Sequence, residues 1–337
     1  MKPTTINWVC DIDISEDELK KLDNVLDILL TDRTTQSNII WASDDYQHLG
    51  KGFSFFDSIQ VDLITGKYST IIQPRIKKHN LQQRKRSKQM AEVFTPAWVC
   101  NRQNNLIDEA WFGTQGVFNH ETDEHTWVSN PVPQFPENKS LDQYITLKRI
   151  EITCGEAPYL VSRYDATTGQ PIAIGNRIGM LDRKLWAIHT LTPNDSTALP
   201  QEERDTLQAE WQNKVVRAYQ SIYGFEWQGD NLLLAREALF VSFIEYYQAK
   251  WHTTTLPSIE VMQKIATIIS WNIWQMDGLS CGIPGYMPME DTNNNDLFGT
   301  MVIPPQKHYC RIMDWNSTEP LKGTELRFKT MLTTKNT

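Results

Sequence analysis

The chemistry-bearing residues of this chain gather first in one stretch, Arg149-Ile150-Glu151-Ile152-Thr153-Cys154-Gly155-Glu156-Ala157-Pro158-Tyr159-Leu160. It starts as a strand and breaks into a tight turn of small residues. Gly155 sits where the backbone must bend sharply. The short side chains of Thr153, Cys154 and Ala157 let a ligand approach the main chain. A strand followed by such a turn is the usual first nucleotide-binding element of a doubly wound α/β fold, and it equally describes a plain strand-to-loop bend. A second acid, Glu226, closes the strand-like Ser221–Glu226 just before a helix expected from about Asp230. A carboxylate there can accept both ribose hydroxyl protons, or simply favour the positive end of the following helix. Asp277 follows the helical pattern Ile259–Ile269 and the residues Ser270-Trp271-Asn272-Ile273. Asp314-Trp315-Asn316 ends the strand-like His308–Asn316 in a turn of acid, aromatic ring and amide.

Other polar groupings carry less. His120 and His125 bracket metal-ligand residue types but stand five apart, so a helix would not align them, and the segment reads as a polar loop. Asp44 and Asp45, before Tyr46, read as a surface turn. A run without acids holds Arg75, Lys77, Lys78, Arg84, Lys85, Arg86 and Lys88. Such a run is either a solvated basic face or a phosphate-contacting segment.

These residues need a scaffold, and 337 residues suffice for one large α/β domain with additions, or for two domains. Hydrophobic content of 40% and charged content of 22% fit a soluble protein with a substantial core. No apolar run approaches the ~20 residues that cross a bilayer. No apolar signal region follows Met1, so no membrane partner and no export are expected. The five cysteines, Cys10, Cys100, Cys154, Cys281 and Cys310, form no Cys-x-x-Cys pair and are odd in number. That pattern suits neither a disulfide framework nor a zinc site and fits a reducing, cytoplasmic setting. A net charge of −8 argues against general coating of nucleic acid. The expected organisation is an N-terminal α+β unit over 1–74, a basic linker or helix over 75–90, and the main domain over 91–337. In the first unit Ser15 and Glu18 suggest a capping box for a helix through Leu29. Strands are expected at Ile39–Trp41, Ile59–Leu63 and Thr70–Ile72. Thr95 and Pro96 suggest the cap and first turn of a helix running to Asp108.

Four blocks, in this order, resemble the adenine-N6 DNA methyltransferases of restriction–modification systems, and proteins described as restriction endonuclease subunit M. Glu92-Val93-Phe94-Thr95-Pro96 is similar to the family's aromatic-Thr-Pro element. Glu151–Leu160 resembles its Asp-Pro-Ala-Cys-Gly-x-Gly-x-Phe-Leu loop. Gly224-Phe225-Glu226 with Leu234–Leu239 resembles its second-strand acid and following helix, and Asn272–Leu279 its Asn-Ile-x-x-Gly-Asp-x-Leu element. The resemblance covers residues 90–280. It implies a Rossmann-like core with a small N-terminal α+β extension, S-adenosylmethionine as cofactor, and double-stranded DNA as partner, with a restriction or specificity subunit alongside. It assigns the cofactor to Phe94, Thr95, Pro96, Glu151, Cys154, Gly155, Ala157, Glu226 and Asp277, and DNA to the basic run. Glu151 replaces the family's aspartate and Ala157 its second glycine. The family's Asn/Asp-Pro-Pro-Tyr/Phe element, which grips the flipped adenine for direct methyl transfer, is absent from the sequence. Asp314, Trp315 and Asn316 are nearest to it in position. The expected activity is adenine-N6 methylation of DNA, and the alternative is a non-catalytic methyltransferase-like DNA-binding subunit that needs a partner. A nuclease reading ranks last, because no Asp…Glu-x-Lys constellation stands out.

Overall fold

A computed structural model describes residues 12–78, 83, 86, 87, 95–194, 200–285, 309–315 and 322–333. In chain order the first elements are α1 (Glu16–Leu19), α2 (Val25–Leu30), α3 (Ala97–Phe112), β1 (Asn119–Glu121), β2 (Trp127–Ser129) and α4 (Leu141–Thr146). Next come β3 (Arg149–Ile152), α5 (Met180–Leu191), α6 (Gln201–Gln220), β4 (Ile222–Glu226), α7 (Gly229–Trp251), α8 (Ile259–Asn272) and β5 (Ile273–Gln275). The last are β6 (Arg311–Asp314), β7 (Thr324–Arg327) and α9 (Phe328–Thr333). The protein is thus mixed α/β. Among the described residues no helix is long and apolar enough to cross a membrane.

At its centre β3, β4 and β5 lie parallel, in that spatial order. All of β4 is buried, as a parallel strand covered on both faces requires. α7 is buried around almost its whole circumference, so it is an interior helix rather than an amphipathic surface one. The described strand order steps one way only, whereas a doubly wound sheet reverses at a switch point.

Tyr223, Phe225 and Trp274 share one face of the sheet, on which β6 and α9 lie. Phe328 lies 5.2 Å from Trp274, and Tyr223 Oη donates to the Met313 carbonyl at 3.0 Å. β6 runs opposite to the central strands. Cys310, before it, donates its amide to the Cys281 carbonyl at 3.0 Å, beyond the end of β5. Asp314, at its end, pairs with Lys148, which precedes the start of β3, at 2.7 Å.

Residues 12–78 depart from the expected separate unit. The anticipated helix breaks at Asn24, whose φ of 56° is left-handed, and Ser15 makes no side-chain cap. Ile39–Trp41 and Ile59 form no ladder beyond the isolated bridge of Ile40 with Ser58, and Val61–Leu63 is a 3-10 turn. Their apolar side chains join the same hydrophobic cluster as β4, α7 and α8. Gln275 holds the main chain of Ile40 from both sides, accepting its N–H at 2.9 Å and donating to its carbonyl at 2.8 Å. Gly229 donates to the Trp41 carbonyl at 3.0 Å, and a Cβ there would lie 2.1 Å from the Ile40 oxygen. Glycine is therefore required at the start of α7.

Candidate functional site

The loop after β3 crosses to the end of β4. Thr153, Gly155 and Ala157 all have left-handed φ, at 52°, 54° and 61°. Only glycine takes this conformation without strain, and a β-branched threonine there is costly, so surrounding bonds must hold the loop. Cys154 donates its amide to the Phe225 carbonyl at 2.8 Å, and Gly155 donates to Glu226 Oε2 at 2.9 Å. Cys154 lies over Gly224, where an added Cβ would come within 3.3 Å of its Cβ and Sγ. The small residue in β4 and the small residue in the loop are therefore matched.

Two carboxyl groups flank this loop. Glu226 Oε1 accepts the Gln228 amide at 3.2 Å, and burial pushes this carboxyl above its ordinary range. Glu151 Oε1 accepts the Tyr159 amide at 3.4 Å, while its Oε2 is buried with no hydrogen-bond partner among the described residues. Burial, with the Glu226 charge adding to it, raises Glu151 well above the carboxylate range. A cationic ligand group beside Glu151 would offset both effects. Burial also keeps the nearby thiols protonated: Cys100 is pushed up to about 12, and Cys154 rises well above its usual value. Neither is poised as a nucleophile.

The Thr95–Pro96 element packs onto the same loop. Cys100 Sγ lies 3.8 Å from the Thr95 carbonyl, and Asn104 Nδ2 donates to the Tyr159 carbonyl at 3.1 Å. The cap of α3 is not the expected Thr95. Pro96 takes that position, and Asp165 Oδ2 accepts the Ala97 amide at 2.7 Å instead. Phe94, Val93 and Glu92 lie outside the described residues. Asp277 stands beside Glu226, tied by the Met276 amide bonding the Glu226 carbonyl at 3.0 Å. Its carboxylate closes its own turn, accepting Leu279 N at 3.0 Å and Ser280 Oγ at 2.7 Å. Thr95, Pro96, Glu151, Cys154, Gly155, Ala157, Glu226 and Asp277 are therefore brought to the carboxyl edge of the sheet and its flank.

Asp314 and Trp315 are not. Trp315 Nε1 donates to Asn272 Oδ1 at 2.7 Å, and Asn272 bonds the Ile222 carbonyl at 3.0 Å, at the strand-start edge. Strands rising about 3.3 Å per residue put roughly 13 Å between Ile222 and Glu226, at the two edges. The expected catalytic turn is not brought to the site: β6 enters from the carboxyl edge of the sheet and carries Asp314 away from it. Asn316 lies outside the described residues.

The basic run is corrected in part. Lys78 is buried against Asp230 at 3.2 Å, and Arg86 is buried against Asp230 at 2.9 Å and Asp45 at 3.2 Å. Tyr46 Oη donates to the same Asp230 at 2.7 Å. Lys78 and Arg86 therefore anchor this segment to the start of α7 and are withdrawn from solvent and phosphate. Lys77 is exposed and pairs with Asp13 at 3.5 Å. Arg75 is half-buried; its amide bonds Glu156 at 2.6 Å and its guanidinium bonds Ser87 at 2.7 Å. Arg84, Lys85 and Lys88 lie outside the described residues. Glu156, not singled out from the sequence, links loop and basic run by also accepting Tyr164 Oη at 2.7 Å. Its bond to Arg75 spans 81 residues, so no local pattern announces that link. Among the described residues no three metal-ligating side chains come together; His120 lies in β1 and His125 in the turn before β2.

No family model matches the chain, and no curated protein and no solved structure is significantly similar to it.

Proposed function

We propose that this chain binds S-adenosylmethionine at the carboxyl edge of its parallel sheet and serves adenine-N6 methylation of double-stranded DNA as a modification subunit. The observation that carries the reading is the unpartnered Oε2 of buried Glu151, beside Glu226 and a loop of small residues. A sulfonium cofactor with an ammonium group offers the positive charge that this pair lacks, and it would supply the methyl group. Glu226 would hold the ribose, and Cys154, Gly155 and Ala157 would leave room for the methionine part. The core is read accordingly as the first half of a Rossmann-like methyltransferase sheet.

Calorimetric titration with S-adenosylmethionine tests this. Binding is expected, with Glu151→Gln weakening it about tenfold, or ~1.4 kcal/mol. A folded protein that gives no binding heat at any temperature, and no protection of its thermal midpoint, rejects the reading.

The direction of β6 favours a second form of the same reading, in which the chain does not catalyse alone and a restriction or specificity subunit completes the site. Transfer of tritiated methyl groups to mixed-sequence duplex DNA, with and without the product of the neighbouring gene, separates the two. Transfer by the chain alone would exclude the need for a partner.

A further inference from the structure

We propose that Cys281 and Cys310 form a redox-sensitive pair that hydrogen peroxide closes to a disulfide. The pair lies just past the end of β5. Gly282 and Tyr309 form an antiparallel bridge, and one residue further along the same register Cys281 stands opposite Cys310. The Cys310 amide donates to the Cys281 carbonyl at 3.0 Å. Residues opposed in this way have Cα atoms roughly 4.5–5.5 Å apart, inside the span of about 4.4–6.8 Å that a disulfide takes. Both side chains are buried, and Cys310 Sγ bonds the Gln275 carbonyl at 3.1 Å, which holds that sulfur at the end of β5. The other described cysteines, Cys100 and Cys154, belong to the loop after β3 and its covering helix.

The two sulfurs differ in a way that sets the order of events. Burial raises both thiols, far more for Cys310, while the Lys329 ammonium opposes the rise at Cys281. Of the two, Cys281 stays nearer its ordinary range, so it is the sulfur that loses its proton and reacts first. Its thiolate attacks one peroxide oxygen, the O–O bond breaks, and hydroxide leaves to give a sulfenic acid. Cys310 then attacks that sulfur, the S–O bond breaks, and water leaves as the disulfide forms. Two thiols and one peroxide become one disulfide and two waters. The closed pair would tie the turn that carries Asp277 to the start of β6.

The full-length protein, reduced and then exposed to hydrogen peroxide under native conditions, provides the test. Free thiols are blocked, and the chain is digested without reductant for mass spectrometry. The expected product is a peptide joining Cys281 to Cys310, reversed by dithiothreitol, with a higher thermal midpoint for the oxidised protein. Cys281→Ser and Cys310→Ser should each abolish it, and Cys100 and Cys154 should label only after unfolding. Recovery of Cys281 and Cys310 as separately blocked, separately oxidised or otherwise cross-linked residues in the wild-type chain would overturn the proposal.

Discussion

Glu237 is the least explained charged residue of the interior. It is fully buried within α7, and among the described residues neither carboxyl oxygen has a hydrogen-bond partner. Glu16 of α1, also buried, faces it, with Asp13 and Asp17 adding negative charge nearby. Burial first, then these neighbours, drives Glu16 up to about 8 and Glu237 well above the carboxylate range. Protonated pairs are compatible with this packing and ionised ones are not. The sign follows directly: a carboxyl raised in the folded state contributes its full stability below its unfolded value near 4.5 and loses it as pH climbs through the folded value. Stability should fall by about 1.4 kcal/mol per pH unit for each proton retained, across roughly pH 5–8. Glu237→Gln should flatten that slope and leave the variant more stable than the wild type at pH 8.5. Urea midpoints at pH 5.5 and 8.5 check it, and an unchanged slope in the variant would reject the assignment.

At the scale of elements, the junction between the basic segment and α7 depends on Asp230. Burial alone would raise this carboxyl, but Arg86 and Lys78, with the Tyr46 hydroxyl, hold it far below the usual range. Removing it takes the carboxylate from buried Lys78 and one of two carboxylates from buried Arg86, and breaking such a buried pair costs about 3–5 kcal/mol in comparable sites. Asp230→Ala should therefore destabilise strongly, whereas Lys77→Ala, on an exposed pair, should cost under about 1 kcal/mol. Denaturant titration of both variants distinguishes this anchoring from a solvated basic face, which would show two small effects. The same junction explains what could be read in advance. β3, β4 with the start of α7, and α8 were legible because their apolar patterns and flanking turns are local; β5 was not, because Ile273–Gln275 follows the apolar end of α8 with no turn between them. The burial of Lys78 and Arg86 was not, because Asp230 stands 152 residues from Lys78. Nor was the placement of Asp314, since strand direction depends on partners that no local spacing encodes. The joining of Glu226 to Gly155 lies between these cases: both residues were singled out, but the bond between them needs the β3–β4 register.

At the scale of the whole molecule, the boundary expected near residue 74 does not separate two cores. Ile39, Trp41 and Ile59 pack in the cluster that holds Phe240, Ile244 and Ile269. Buried Arg236 of α7 bonds the carbonyls of Ile273 at 2.7 Å and Thr31 at 3.0 Å, so one guanidinium joins the sheet to the chain after α2. Burial draws that guanidinium down to about 9, and it stays charged at neutral pH. Without residues 12–72 it would lose the Thr31 carbonyl, Gln275 would lose both bonds to Ile40, and Gly229 would lose its acceptor. Each buried polar group left without a partner costs about 1–3 kcal/mol, against a typical total stability of about 5–15 kcal/mol. A fragment spanning 75–337 should therefore show no cooperative thermal transition and no near-ultraviolet circular dichroism of packed aromatic rings. Adding the segment 1–74 in trans should restore both if the docking surface is otherwise intact. A sharp transition from the fragment alone would mean that the N-terminal segment is an appendage after all, and that the carboxyl edge is supported by the sheet and its crossover helices without it.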